Sequence, residues 1–282
     1  MTVACFAAGL LGIGLAIFGE WWGKILASVL LLGGAYTFRQ ALLVEAPFFE
    51  KLIARWSSQN VIGKIPAASQ PRQTIYLVGH LDSQKQRFQF PPSSHWIMKA
   101  QTSLPIVAGY VGGAFLLVDT SFNLRTPPIW WWLLGTAYAY GFLGALYDEI
   151  QPHVEGANDN STAVSILLGI AETLQTQPLQ HSEVVLLFTG CEEVGCVGMA
   201  YYLQQHKPPT TNTCWIDIEM VGAGNLCYVT RHGISYLSNY QPHPKMVALA
   251  EKVAGQHPEL GFTAKDMVMV EEIATLRKKD GS

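Results

Sequence analysis

Four charge-free apolar runs constrain this chain more than any other feature of it. They are residues 3–18 (VACFAAGLLGIGLAIF), 25–38 (ILASVLLLGGAYTF), 104–118 (LPIVAGYVGGAFLLV) and 128–147 (PIWWWLLGTAYAYGFLGALY). A helix needs roughly 20 predominantly apolar residues to span a bilayer, and these runs come near that length in pairs. The first pair is separated only by GEWWGK, whose Trp21 and Trp22 sit where interfacial aromatics belong. The second pair is joined by the turn-like DTSFNLRTPP, and its Gly, Ala and aromatic content suits helices packed closely in lipid. A cleaved secretory signal fits poorly, because no basic stretch precedes the first run and a second apolar run follows it. Two transmembrane hairpins are therefore expected, with the rest of the chain on one side of a membrane.

On that side lie Arg39, Lys51, Arg55, Lys64, Lys85, Arg87 and Lys99, against only Lys24 and Arg125 in the opposite loops. The positive-inside rule then directs the polar part to the cytoplasm. Composition agrees with a mixed protein: 14% of the 282 residues are charged and 49% are hydrophobic, with a mean hydropathy of +0.20. A net charge of −3 leaves no electrostatic footprint for nucleic acid, so none is expected as a partner. Cys5, Cys191, Cys196, Cys214 and Cys227 form no CxxC pair and read as buried free thiols.

The polar remainder alternates strand and helix. Strands are expected at 60–66, 74–79, 183–190, 214–221 and 226–230, and helices at 161–175, 197–206, 243–255 and 266–279. That alternation predicts an α/β fold with a mixed, mostly parallel sheet and helices on both faces, added to the helical hairpins. The expected organisation is an N-terminal hairpin over 1–40, the first part of the α/β domain over 41–100, an inserted hairpin over 101–148 and the rest over 149–282.

Open sheets gather reactive groups beyond the carboxyl ends of their strands. Here those ends deliver His80 and Asp82, then Glu192 and Glu193 in LLFTGCEEVGCVG, then Asp217 and Glu219 in CWIDIEMVG, while GANDNSTA sets Asp159 before a helix. Asp82 can hydrogen-bond the imidazole nitrogen of His80 that is not on a metal, which fixes the tautomer. Of the adjacent glutamates one can bind a metal while the other faces the substrate as a general base beside a metal-bound water. Asp159 can cap the helix or bridge two metals, and the local sequence does not choose between these. Histidine with carboxylates and no paired cysteines suits zinc. No HExxH or GxSxG motif competes for the chemistry.

With NVIGKIP, YLVGHLDS, GANDNSTA, LLFTGCEEVGCVG and IDIEMVG in this order, the chain resembles the two-zinc exopeptidase family of bacterial leucyl aminopeptidases and glutamate carboxypeptidase II. The resemblance covers about residues 60–82 and 154–230 and implies a zinc aminopeptidase-like fold. It implies His80 as ligand of the first metal, Asp159 as bridging ligand, Glu193 as ligand of the second metal and Glu192 as general base. The family's aspartate before MVG is here Glu219, taken as the ligand with Asp217 as its substitute. Two departures stand out: the inserted hairpin between Asp82 and Asp159, and the absence of the family's closing strand and last histidine ligand. A C-terminally incomplete member is therefore expected, its gap open to His153, His181, His206, His232, His243 or His257. The function implied is a membrane-anchored metallopeptidase, an aminopeptidase on peptide substrates. The other expectations are an inactive membrane receptor or scaffold on the same fold, and a one-zinc acyltransferase resembling glutaminyl cyclase. A transporter component is disfavoured because no ionisable residue lies inside an apolar run.

Overall fold

The computed structural model describes residues 1–44, 57–87, 95–124 and 126–278. The chain divides into two compact units. One comprises 1–54, 85–152 and 233–239, and the other 55–84, 153–232 and 240–282.

The first unit is helical. All four apolar runs fold as helices: α1 (Thr2–Phe18), α2 (Trp21–Leu42), α3 (His95–Phe122) and α4 (Pro128–Glu149). Helix α2 and residues 96–122 of α3 are long and apolar enough to cross a membrane, whereas α1 is apolar but shorter. The helices interlock through Phe6, Ile13, Ala27, Leu31, Leu116, Trp131 and Tyr138, which are nearly sealed from solvent. Close approach depends on small residues. A Cβ at Gly109 would lie 2.7 Å from that of Ala35, and one at Gly141 would lie 2.3 Å from the Phe6 ring. At that separation Ser28 Oγ donates to the Gly113 carbonyl at 2.6 Å. Helix α3 starts nine residues before its apolar run, and this polar first stretch has its own task. Thr102 Oγ1 donates to the Ile234 carbonyl at 2.7 Å, and Ser103 Oγ accepts from the Tyr236 amide at 2.8 Å. Those bonds seat residues 233–239 on the helix.

The second unit is the α/β fold. Its main sheet runs β1-β3-β2-β4, from β1 (Val61–Ile65), β2 (Gln73–His80), β3 (Ser182–Thr189) and β4 (Thr213–Asp217). β2 lies parallel to both β3 and β4, and β1 pairs antiparallel with β3. Alternation along β2 and β3 gives the sheet two apolar faces. One face, with Leu77, Val184 and Leu186, packs on Leu167 of α5 (Thr162–Thr176). The other, with Tyr76, Val78, Val185 and Leu187, packs on Met199, Tyr202 and Leu203 of α6 (Val197–His206). Each such side chain contributes about 1.5–3 kcal/mol when fully buried. A separate pair of parallel strands, β5 (Cys227–His232) and β6 (Thr263–Met267), is accompanied by α7 (Pro244–Gln256).

Two sequence expectations are corrected here. The strand expected over 214–221 ends at Asp217, and Met220 takes φ +48°, a left-handed conformation that a continuing strand does not allow. Asparagines then replace the lost ladder: Asn160 bonds the Ile218 carbonyl at 3.1 Å and the Met220 amide at 3.2 Å, and Asn158 accepts from the Gly222 amide at 2.9 Å. The helix expected over 266–279 is instead the end of β6 followed by a short 3-10 helix, Glu272–Lys278. Asp266 and Met267 pair with Arg231 and His232 of β5, so backbone groups that a helix would use internally are taken by a neighbour strand.

Candidate metal centre

His80 closes β2 and stands opposite Thr189, which closes β3; Asp217 closes β4. Three adjacent strand ends thus present side chains to one rim. His80 is almost fully buried, and its Nδ1 lies 3.0 Å from the Asp82 carbonyl and 3.6 Å from its carboxylate. That leaves Nε2 directed at Asp159 Oδ1, 3.0 Å away. Asp159 belongs to the turn Ala157–Ser161 that leads into α5, flanked by the two asparagines that hold residues 218–222. The Asp159–Asn160 peptide is cis.

The glutamate pair sits in the turn after β3. Asn60 fixes this turn by accepting from the Gly190 amide at 3.1 Å and donating to the Gly198 carbonyl at 2.8 Å. Asp82 holds the pair itself: its two carboxylate oxygens accept from the Glu192 amide at 3.0 Å and the Glu193 amide at 3.1 Å. Asp82 is therefore bonded chiefly to the glutamate turn, and the imidazole takes its main-chain oxygen. Gln84 donates its amide to Glu193 Oε2.

These elements bring His80, Asp159 and Glu193 together, each offering one ligand atom within 4.8 Å of the others. Glu219 falls in a second group, with Asp217 and Glu272, again within 4.8 Å. Glu272 was not anticipated as a site residue; its Oε1 accepts from the Thr189 hydroxyl. A signal existed, since Glu271 and Glu272 are a second adjacent glutamate pair in an apolar setting. Among the described residues, none of the six candidate histidines joins either group. His243 caps α7 by accepting from the Lys245 amide at 3.2 Å, His257 lies 3.0 Å from Glu259, and His232 packs on Tyr240.

The first group fits zinc. Its donors are one imidazole nitrogen and two carboxylates, and with Nδ1 tied to a carbonyl, Nε2 is the nitrogen offered. The electrostatics fit a cation as well. Burial, then the charge of Glu272, pushes the Glu192 carboxyl up to about 8. Asp217 and Glu219 are raised well above the usual range, by burial first and by neighbouring carboxylates second. Burial opposes charge on His80, but hydrogen bonds to Asp159 and Asp82 and the nearby glutamates outweigh it and lift it to about 11.

These shifts set a pH dependence for the metal-stripped protein. An unfolded glutamate loses its proton near 4.5, whereas native Glu192 keeps it to about 8 and Glu271, through burial and then Glu272, to about 7. The native state holds more protons across that window, so stability falls as pH rises through it. His80, with an ordinary value of 6.5 raised to about 11, acts in the same direction above neutrality. The stripped protein is expected to melt at a higher temperature at about pH 5.5 than at about pH 8. Thermal scans in chelator check this, and an equal or reversed order would contradict it.

Residues 135–269 match the sequence profile of peptidase family M28. The match spans Asp159, Glu192, Glu193, Asp217 and Glu219, while His80 and Asp82 precede it and Glu272 follows it. It bears out the resemblance to the two-zinc exopeptidases. Among solved structures, a leucine aminopeptidase precursor from Bacteroides thetaiotaomicron aligns with a TM-score of 0.47 and 13% identity, over 99% of this chain and 81% of that one. A glutaminyl cyclase from an Acidobacteriales bacterium aligns with a TM-score of 0.45 and 13% identity, over 99% of this chain and 76% of that one. No curated protein matches the chain.

Proposed function

We propose that this chain, of the M28 exopeptidase type, is a membrane-anchored zinc metallopeptidase that acts as an aminopeptidase. One observation carries the reading: His80, Asp159 and Glu193 converge as a nitrogen-and-carboxylate ligand set beside Glu192, whose backbone is pinned by Asp82. Those three residues would hold zinc; Glu219, expected as a further ligand, stands with the second carboxylate group. When bound, zinc supplies polarisation of the scissile carbonyl and a lowered water pKa. Glu192 supplies the proton transfer, taking a proton from the attacking water and delivering it to the leaving amine. A carboxyl whose environment raises its pKa toward neutrality is suited to doing both.

The helical unit supports the anchor. Its outer surface carries exposed Trp22, Leu104, Val111, Trp130 and Leu143, an apolar surface that lipid would cover. With the basic residues weighted to one side of the helices, the α/β unit faces the cytoplasm.

Metal content per chain and aminoacyl-amide hydrolysis, measured on detergent-purified full-length protein, test the proposal. Wild type should carry zinc and hydrolyse the amide, and His80→Ala should lose both. Wild type without zinc after zinc loading would sink the reading. A one-zinc acyltransferase is the second reading, because a single histidine-containing group is all such an enzyme needs. Cyclisation of N-terminal glutamine peptides with release of ammonia, in place of amide hydrolysis, would favour it.

A further inference from the structure

We propose that the loop Gly233–Asn239 is an interfacial lipid anchor, with Tyr236 and Leu237 set among the headgroups and upper acyl chains of a bilayer. It extends the membrane anchoring proposed above, on which it rests, to a segment that no apolar run announces. The loop belongs to the helical unit, and its sequence, GISYLSN, carries no charge.

Helix α3 sets the depth. Its apolar stretch Trp96–Phe122 has 27 residues, a length of about 40 Å, whereas the hydrocarbon core of a bilayer is about 30 Å thick. The excess falls at the polar start, because the charge-free run opens only at Leu104. Thr102 and Ser103, which seat the loop, therefore lie where hydrocarbon meets headgroups. Trp96 and Lys99 share the helix face of Ser103 at i, i+3 and i+7 spacing. Trp96 is exposed, and Lys99 Nζ stands 6.0 Å from the centre of the Tyr236 ring. Amphipathic aromatics beside a lysine are the composition that interfaces favour.

The main chain of the loop is prepared to leave water. Four consecutive amides are satisfied: Ser235 donates to Ser238 Oγ at 3.1 Å, Tyr236 to Ser103 Oγ at 2.8 Å, Leu237 to Ser235 Oγ at 3.1 Å and Ser238 to the Ser235 carbonyl at 3.4 Å. Ser235 and Ser238 are buried, whereas Tyr236 and Leu237 at the tip are 64% and 49% exposed. Such a turn loses few hydrogen bonds to water on entering lipid and removes two large side chains from water. Single exposed apolar residues are ordinary on any surface. An adjacent pair on a turn held at headgroup level by a membrane helix has lipid as its partner.

The test is photolabelling of the full-length protein in phosphatidylcholine nanodiscs, using a phosphatidylcholine with a diazirine on its acyl chain, with mass spectrometry to map the adducts. Adducts are expected on Tyr236 and Leu237, as on the exposed Leu104 and Val111 of α3, and none on Tyr201 of α6, which is 61% exposed in the α/β unit. A water-soluble diazirine should give the reverse, labelling Tyr201 and sparing the loop tip. Lipid adducts on Leu104 and Val111 with none on the loop, or a loop tip labelled by the soluble reagent as heavily as Tyr201, would overturn the loop anchor and leave the membrane-spanning helices standing. Absence of lipid adducts from α3 as well would sink both.

Discussion

Glu192→Gln lowers kcat for aminoacyl-amide hydrolysis by on the order of 10²–10⁴-fold, the usual contribution of a positioned general acid–base group, while zinc content and melting behaviour stay near those of wild type. Glutamine has the same shape, so it fills the space beside Cys196, whose Sγ lies 3.4 Å from Glu192 Oε1. It cannot take up a proton near neutral pH. The Asp82 bonds to this turn go to main-chain amides, which the substitution leaves in place. KM should therefore change little, and the loss should fall on kcat. Below about pH 8 the stripped native state has to keep the Glu192 carboxyl protonated because of burial and Glu272, and glutamine, neutral without a bound proton, removes that cost, so no loss of stability is expected. Activity within about threefold of wild type would remove Glu192 from the role of base.

The α/β unit was legible because its strands announce their ends. β2 and β3 are short apolar runs that stop at polar, metal-competent residues, and the structure places their boundaries within one or two residues of expectation. His80, Asp159 and Glu193 converge because each follows a strand or precedes a helix at the same sheet edge, a relation that sequence order carries. Glu272 was hidden for the opposite reason. Its segment resembled a helix, on which an adjacent glutamate pair reads as a solvated face, yet Glu271 is 6% exposed and Glu272 fully buried. The reasoning that singled out Glu192 and Glu193, two carboxylates in an apolar setting, applied equally to that second pair. Which distant carboxylates meet is set by the tertiary path of the chain, and periodicity reports only which side chains are buried. The polar start of α3 was invisible likewise, because Thr102 and Ser103 are explained by the loop they hold and not by hydropathy.

Asp82→Ala should damage stability, zinc affinity and turnover together. The carboxylate satisfies the amides of Glu192 and Glu193 at 3.0 and 3.1 Å, and deleting it leaves two donors without their acceptor. Each orphaned amide costs about 1–3 kcal/mol unless water reaches it, so a loss of about 2–6 kcal/mol is expected for the two, the lower end where water takes the place of the carboxylate. The same two bonds aim the proposed base and one proposed zinc ligand from a single anchor. Loosening them should therefore weaken zinc by about 10–100-fold, the usual effect of losing a residue that orients metal ligands. His80 is less affected, because its Nδ1 leans on the main-chain carbonyl of residue 82 at 3.0 Å, and that oxygen survives the substitution. Asp82→Asn separates the two influences. It keeps one acceptor oxygen, so it should retain part of the stability, and it removes the negative charge near His80. Thermal melts, zinc competition titrations and kcat on the three proteins check the order wild type, Asn, Ala. An alanine variant that melts and binds zinc as wild type does would mean that the turn holds Glu192 and Glu193 without Asp82, and the positioning role would fall.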